Sequence, residues 1–448
     1  MGKVLIVAYY FPPVGGGGVQ RTAKFVKYLK SFGWMPVVLT TKNPDFDVFD
    51  YSLLNDIPAD VNVYKAYSFD PVRWYRLRQY GANSLFDDKD SNPLQPGRNI
   101  FVLLTTPISK FVKYILNNFV LIPDDYIGWI PFAVVNGWKV VRKEKVDVIY
   151  ATGKPWSSFI IAFLLRWLTG KPYVLDLRDP WSLTPYYCGR VSIYKRFGER
   201  FWERICFAHA KKIINVNKQI NDSYIDSYPS IPSEKFAYIT HGYDEDDFKV
   251  AGRKKKAEST FTISYVGTLY PYASPKNFLL AVKNIIKDNT NLAADMDINF
   301  VGIVPRYVKS LIEDNGLRER VKVINYLSHR ESIEYMLNAD VLLLLLNKTS
   351  SKTNAQISTG KLFEYLASLR PILALIPKDT DAARLIDELR AGKVVDPDDM
   401  NAVIKAINDF YIERSAGTLR GGLQDISRYT RRNLTRQLAS TLDDICRQ

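Results

Sequence analysis

The sequence predicts an α/β protein made of two domains, each with parallel strands alternating with helices, and three observations carry the prediction. At 448 residues the chain exceeds what one hydrophobic core normally supports, and 47% hydrophobic with 13% aromatic content is ample for two cores. Several apolar runs are short and unbroken, such as Val341-Leu342-Leu343-Leu344-Leu345-Leu346 and Pro371-Ile372-Leu373-Ala374-Leu375-Ile376, as expected of parallel strands covered on both faces. Near such runs, helices open on glycine or lysine, where orphan backbone N–H groups and the helix dipole favour an anion.

In chain order, residues 3–9 read as a buried strand, Phe11-Pro12-Pro13-Val14 as a turn, and Gly15-Gly16-Gly17-Gly18 as a loop that opens a helix. On that helix Val19, Ala23, Val26 and Leu29 recur at helical spacing, with Arg21, Lys24 and Lys27 off the stripe. A Rossmann-type unit that binds a dinucleotide expects an acidic residue at the end of its second strand to hold a ribose. That strand ends Leu39-Thr40-Thr41-Lys42, so the acid is missing and an NAD-dependent oxidoreductase is disfavoured.

Residues 43–130 depart from strand–helix alternation and read as an insertion. Within it Arg73-Trp74-Tyr75-Arg76-Leu77-Arg78 interleaves bases and aromatics. Further on, Ile108, Phe111, Val112, Ile115, Leu116 and Phe119 form an apolar stripe opposite Lys110, Lys113, Asn117 and Asn118. Such a helix can lie on an anionic bilayer or pack on the sheet, and both readings stay open. Alternation resumes with a strand at 146–151 before Thr152-Gly153-Lys154-Pro155-Trp156-Ser157-Ser158, and another at 172–176 before Leu177-Arg178-Asp179-Pro180-Trp181. Ligands of open α/β sheets bind beyond the carboxyl ends of strands, which is where both segments should sit. Over 193–212, Phe197, Phe201, Ile205 and Ala208 form a stripe beside Arg196, Arg200, Arg204, Lys211 and Lys212, read as a solvated basic helix face.

Asp244, Glu245, Asp246 and Asp247 stand before the polar tract Arg253-Lys254-Lys255-Lys256, so they read as hinge residues, and no metal site is expected. A second α/β domain begins at Phe261 with a strand, a turn and a helix start at Ser274-Pro275-Lys276. Strands at 296–301 and 321–325 follow, with His329 at a helix start. The domain boundaries expected are 1–248, a linker at 249–260, a second domain at 261–415, and a C-terminal helical segment at 416–448.

The most informative stretch is Thr359-Gly360-Lys361-Leu362-Phe363-Glu364-Tyr365-Leu366-Ala367. A helix beginning near Gly360 offers N–H groups and the Lys361 charge to a phosphate, and one turn on the Glu364 carboxylate can accept from two adjacent sugar hydroxyls. Together they describe a nucleotide-sugar pocket. The plainer alternative is an i,i+3 surface pair worth a few tenths of a kcal/mol.

The formal charge of +14 and a pI near 9.3 favour nucleic acid, anionic lipid or phosphorylated partners. No nucleic-acid recognition motif accompanies the charge, so no nucleic-acid partner is expected. Cys188, Cys206 and Cys446 are widely spaced and suggest neither a disulfide framework nor a zinc site, which fits a reducing cytoplasm. No run approaches the roughly 18–20 apolar residues of a membrane span, so the expectation is a cytoplasmic protein, soluble or peripheral at the inner face of the membrane.

The Gly-Lys-Leu-Phe-Glu-Tyr-Leu-Ala segment resembles the C-terminal-domain signature of the retaining GT-B glycosyltransferases of family 4, the group 1 glycosyl transferases, in their bacterial polysaccharide-biosynthesis branch. The likeness touches nearly the whole chain except residues 43–130. It implies two Rossmann-like domains facing across a cleft, with donor mainly on the second, acceptor on the first, and a terminal helix at 429–445 returning to the first domain. It implies retaining transfer of a sugar from a UDP- or GDP-sugar co-substrate to a hydroxyl of a saccharide or lipid-linked saccharide, with no other cofactor, no metal and no enzymic nucleophile. The donor site it implies comprises Gly16, Gly17, Gly18, Gly267, Lys276, Tyr326, Leu327, Gln356, Gly360, Lys361, Leu362 and Glu364. The acceptor side comprises Trp156, Arg178 and Asp179, and Lys361, Glu364 and Asp179 are the residues implied in catalysis. The chain departs from the family at four places. It has no histidine near Trp156, Thr268 where arginine is frequent, Gln356 where glutamate is frequent, and His241 where asparagine is usual. These departures keep a second reading in view, a nucleotide-sugar-binding or scaffold protein without transfer activity.

Overall fold

The computed structural model describes residues 1–44, 48–69, 121–183, 192–250, 260–347, 360–422 and 424–447. The basic–aromatic stretch at 73–78, the stripe at 108–119, Cys188, the tract at 253–256 and Gln356 lie outside them. The chain divides into two compact units, one of residues Met1–Ile239 with Thr435–Gln448, the other Thr240–Leu434.

Unit 1 carries β1 (Gly2–Val7), β2 (Trp34–Thr41), β3 (Asn62–Ala66), β4 (Val148–Gly153), β5 (Tyr173–Leu177), β6 (Lys212–Asn215) and β7 (Phe236–Tyr238). They form a parallel sheet in the order β3-β2-β1-β4-β5-β6-β7. Unit 2 carries β8 (Phe261–Val266), β9 (Met296–Val301), β10 (Val321–Ile324), β11 (Val341–Leu345), β12 (Ile372–Leu375) and β13 (Gly392–Val395), in the parallel order β10-β9-β8-β11-β12-β13. In each sheet the strand order reverses once, between β1 and β4 and between β8 and β11. Such a reversal opens a crevice at the carboxyl edge, because neighbouring loops leave toward opposite faces.

The unbroken apolar runs have a direct cause. Val341, Leu343 and Leu345 pack into the core on one face of the second sheet, while Leu342, Leu344 and Leu346 pack into the core on the other. In unit 1 the core gathers Leu5, Val7, Ile149, Ala151, Leu175 and Leu177 with the apolar face of helix Ser157–Thr169. Helix Arg431–Arg447 belongs to unit 1 over most of its length. There the Trp34 indole donates to Asp443 at 2.9 Å, and the Arg436 guanidinium lies 5.3 Å from the Phe32 ring centre.

Two expectations need correction. Residues 43–130 are not wholly an insertion, since β3 continues the sheet at its edge beside β2. As an edge strand it buries only Ala66 fully, so it lacks the apolar run that marked the other strands. The second correction concerns the first helix, Gly17–Leu29, where Arg21 and Lys24 are buried. Arg21 pairs with Asp176 on β5, and Lys24 pairs with Asp56 at 2.8 Å, so helical spacing alone placed two interior charges off the core stripe.

Candidate functional site

In unit 2 the crevice between β8 and β11 is built around Lys361. Helix Gly360–Ala367 buries Leu362, Phe363, Tyr365 and Leu366. The Tyr365 hydroxyl accepts from the Val266 amide at 2.9 Å, which pins the helix to the end of β8. That anchoring directs Lys361 across Gly267, the residue just after β8. Gly267 has φ +127°, and a Cβ there would lie 2.4 Å from Lys361 Cε, so both backbone conformation and space require glycine. The Lys361 ammonium donates to the Tyr265 hydroxyl and, at 3.1 Å, to the Thr268 carbonyl, and it stands 4.0 Å from the Tyr265 ring centre. Burial pushes it down to about 7, and the Glu364 carboxylate only partly offsets this. None of the hydrogen-bond acceptors described for this cation carries a charge.

The other predicted donor residues fall around this point. Gly360 opens the helix, with the His241 ring 3.9 Å from where its Cβ would be. Leu362 is a core side chain, so only its backbone can face a ligand. Glu364 is half-buried one turn along. Lys276 is exposed as the first residue of helix Lys276–Asp288. Tyr326 and Leu327 follow the edge strand β10, two strands from the crevice; Tyr326 is exposed and Leu327 packs on the apolar cluster that contains Leu362. One feature escaped the sequence reading. Tyr270 and Tyr272 stack with centres 5.2 Å apart in the loop after β8, and the Tyr272 carbonyl accepts from the Asn347 amide at 2.8 Å, tying that loop to the one after β11.

In unit 1 the crevice between β1 and β4 is internally satisfied. Gly16 precedes the first helix with φ +88°. A Cβ on Gly18 would lie 2.7 Å from Arg178 Nη1, because Arg178 reaches across the crevice to bind it. The Arg178 Nε donates to the Gly153 carbonyl at 2.9 Å, and its two terminal nitrogens donate to the Gly18 and Lys154 carbonyls. One buried guanidinium therefore clasps the loops after β1 and β4, and burial holds its pKa below the usual arginine range. Beneath it Arg21 Nε donates to Asp176 at 3.2 and 3.0 Å and Nη2 donates at 2.8 Å, while Thr152 Oγ1 donates to Asp176 at 3.3 Å.

Of the predicted acceptor residues, Trp156 is buried and stacks on Trp181 at 5.3 Å, and Arg178 is the clasp just described. Both shape the crevice from inside. Asp179, half-buried beside Arg178, is the one that keeps exposure. The sequence reading missed Asp124, whose carboxylate accepts from the Ser157 amide at 2.9 Å and hydroxyl at 2.6 Å, capping the helix after β4. It carried no motif, and the contact joins residues 33 positions apart.

Residues 16–242 match the family model described as a glycosyl transferase 4-like domain. No curated protein matches the chain. Among solved structures, it is similar to a sucrose-phosphate synthase from Thermosynechococcus elongatus at 13% identity and TM-score 0.60, covering 100% of this chain and 97% of that one. It is similar to HepE from Anabaena, solved with UDP and glucose, at 15% identity and TM-score 0.58, covering 100% and 98%. It is also similar to a UDP-N-acetylglucosamine 2-epimerase homologue from Listeria monocytogenes at 13% identity and TM-score 0.55, covering 99% and 96%. With two parallel Rossmann-like sheets, these likenesses establish the GT-B fold.

Proposed function

Because the chain belongs to the glycosyl transferase 4-like family, whose model spans residues 16–242, we propose that it transfers a sugar from a nucleotide-sugar donor to a hydroxyl. The donor is a UDP- or GDP-sugar, the acceptor a saccharide or lipid-linked saccharide, and the product a cell-surface polysaccharide of a bacterium. Fold alone does not decide this, since the same fold is shared with an epimerase homologue. The family match and the chemistry around Lys361 support transfer, and HepE holding UDP and glucose supports the donor class.

The observation that carries the reading is the Lys361 ammonium in the β8/β11 crevice, hydrogen-bonded among the described residues to neutral oxygens, at the opening of a helix. A donor diphosphate placed there supplies the missing counter-charge and meets the first N–H groups of helix Gly360–Ala367. As the glycosidic bond breaks, charge grows on the leaving diphosphate, so interactions that strengthen with that charge lower the barrier. Lys361, the helix start and Lys276 serve this role, and Glu364 accepts from the ribose hydroxyls. Transfer proceeds with retention and without a covalent enzyme intermediate, and Asp179 contacts the acceptor on unit 1. Among the described residues no helix is long and apolar enough to cross a membrane, and we place the protein in the cytoplasm, peripheral at the inner face of the membrane.

The test is a thermal-shift screen of wild type and Glu364→Ala against UDP-, GDP-, ADP- and dTDP-sugars. Stabilisation by one nucleotide class, lost in the variant, is expected, followed by turnover of that donor. Stabilisation without turnover by any acceptor or by water would leave a nucleotide-sugar-binding protein, and no shift with any donor would overturn the reading.

A further inference from the structure

Helix Ile193–His209 turns an aromatic stripe outward. At about 100° per residue, the buried Glu199, Glu203, Cys206 and Phe207 fall on one face. Ile193, Phe197 and Phe201 fall on the opposite face, and their exposures are 76%, 74% and 51%. Arg196, Arg200 and Arg204 are exposed along one flank of that stripe. The stripe therefore does not serve the core, although its spacing is that of a core helix.

A helix of this kind, apolar in the middle and arginine-rich on its flank, has the composition of a segment that lies in a lipid headgroup region, with rings in the acyl boundary and guanidinium groups at the phosphates. The charge continues beyond the helix. Arg166, Lys211 and Lys235 are close enough that the first two help depress the pKa of the third, chiefly lowered by its burial. Trp167, next to Arg166, is 79% exposed. A partner protein would have to match both the rings and the predominantly basic surface beside them; an anionic bilayer does so by its nature. Position adds a reason. The Ser182 amide, in the loop after β5 that carries Arg178 and Asp179, donates to Glu203 of this helix at 3.0 Å, so the helix adjoins the carboxyl edge of the unit 1 sheet.

We propose that the exposed face of helix Ile193–His209 docks on an anionic lipid bilayer, with Phe197 and Phe201 inserted and Arg196, Arg200 and Arg204 at the lipid phosphates. Its further consequence, that the bilayer delivers a lipid-linked acceptor to the adjoining carboxyl edge, rests on the glycosyl-transfer reading; the docking itself does not.

The test uses the full chain in a vesicle flotation assay, with phosphatidylcholine alone or mixed with about one part in three of phosphatidylglycerol. Wild type is expected to float with the mixed vesicles in a salt-sensitive way and not with the neutral ones. Phe197→Ser/Phe201→Ser is expected to weaken binding at least about tenfold, and Arg200→Gln/Arg204→Gln roughly 30-fold. Absence of wild-type binding, or double variants that bind as wild type, would overturn the proposal. If the Phe variant instead lowers the melting point with vesicle binding unchanged, the chain itself covers this face. If it dissociates a wild-type dimer in the same circumstance, a second copy does. The thermal shift with donor is read in parallel on the same variants, so a failure of docking and a failure of the transfer reading register separately.

Discussion

The two crevices occupy equivalent places in their sheets and are furnished in opposite ways. In the β1/β4 crevice every buried charge described has its bonds within the unit: Arg21 with Asp176, and Arg178 with three carbonyls. In the β8/β11 crevice the Lys361 cation has a ring, a hydroxyl and a carbonyl around it, and among the described residues it makes no ion pair, the Glu364 carboxylate offsetting its desolvation only in part. A half-buried, desolvated charge without an ion pair costs folding free energy, so it persists where something else is gained from it. The difference teaches that the first crevice is closed by its own contacts, whereas the second holds a cation for which, on the proposed reading, a donor diphosphate supplies the counter-charge. The largest expected effect tests the frame. Asp176→Ala leaves Arg21 buried without its carboxylate counter-charge, which costs about 3–5 kcal/mol. Amide hydrogen exchange should show protection lost across β1, β4 and β5, with donor-induced stabilisation of unit 2 retained; unchanged exchange would remove the contrast.

Lys361→Met inverts that result. Removing a desolvated ammonium that Glu364 offsets only in part should leave the ligand-free protein as stable as wild type or more so, while donor affinity falls roughly 10- to 100-fold through loss of a charge-assisted contact. Calorimetric titration and melting of the free protein read the two halves. A destabilised free protein would mean that the cation is already compensated and the two crevices are alike.

The same group gives a pH dependence. Free Lys361 titrates near 7, and a bound diphosphate raises that value. The complex then binds more protons than the free protein above about pH 7, so donor affinity is flat below that pH and falls above it, approaching tenfold per pH unit. Lys361→Met should flatten the profile. For folding the sign is opposite: the folded pKa lies below the ordinary 10.5, so the native state holds fewer protons in between and this group's contribution to stability rises with pH from about 7.

The sequence made one of these crevices far more legible than the other. Lys361 and Gly360 could be found because a glycine, a lysine and an acid stood between two unbroken strands, a local pattern whose chemistry is local too. The Arg21–Asp176 pair joins residues 155 positions apart, and neither belongs to a motif; burial of Arg21 depends on how far the helix sinks toward β5, which periodicity does not report. Trp156 was an acceptor contact only by resemblance; a ring at a carboxyl-edge turn can point either way, and here it stacks inward on Trp181. The stripe on helix Ile193–His209 was legible as spacing and the bases beside it as a solvated face, and Phe197 and Phe201 are indeed exposed. The strand β3 was hidden because an edge strand needs no apolar run.

The smallest effect sharpens the comparison most. Lys276 sits on the same carboxyl edge as Lys361 and carries the same charge, yet it is exposed, so solvent screens its attraction for a diphosphate. Lys276→Ala should therefore weaken donor binding only about two- to fivefold, an energy within the range of exposed ion pairs. That loss should shrink as salt is raised, while the larger loss in Lys361→Met should persist, because an enclosed pair is screened much less. Equal losses in the two variants, or equal salt sensitivity, would mean that the diphosphate lies at the rim by Lys276 and not in the crevice over Gly267. The absence of a counter-charge around Lys361 would then have to be explained without the donor.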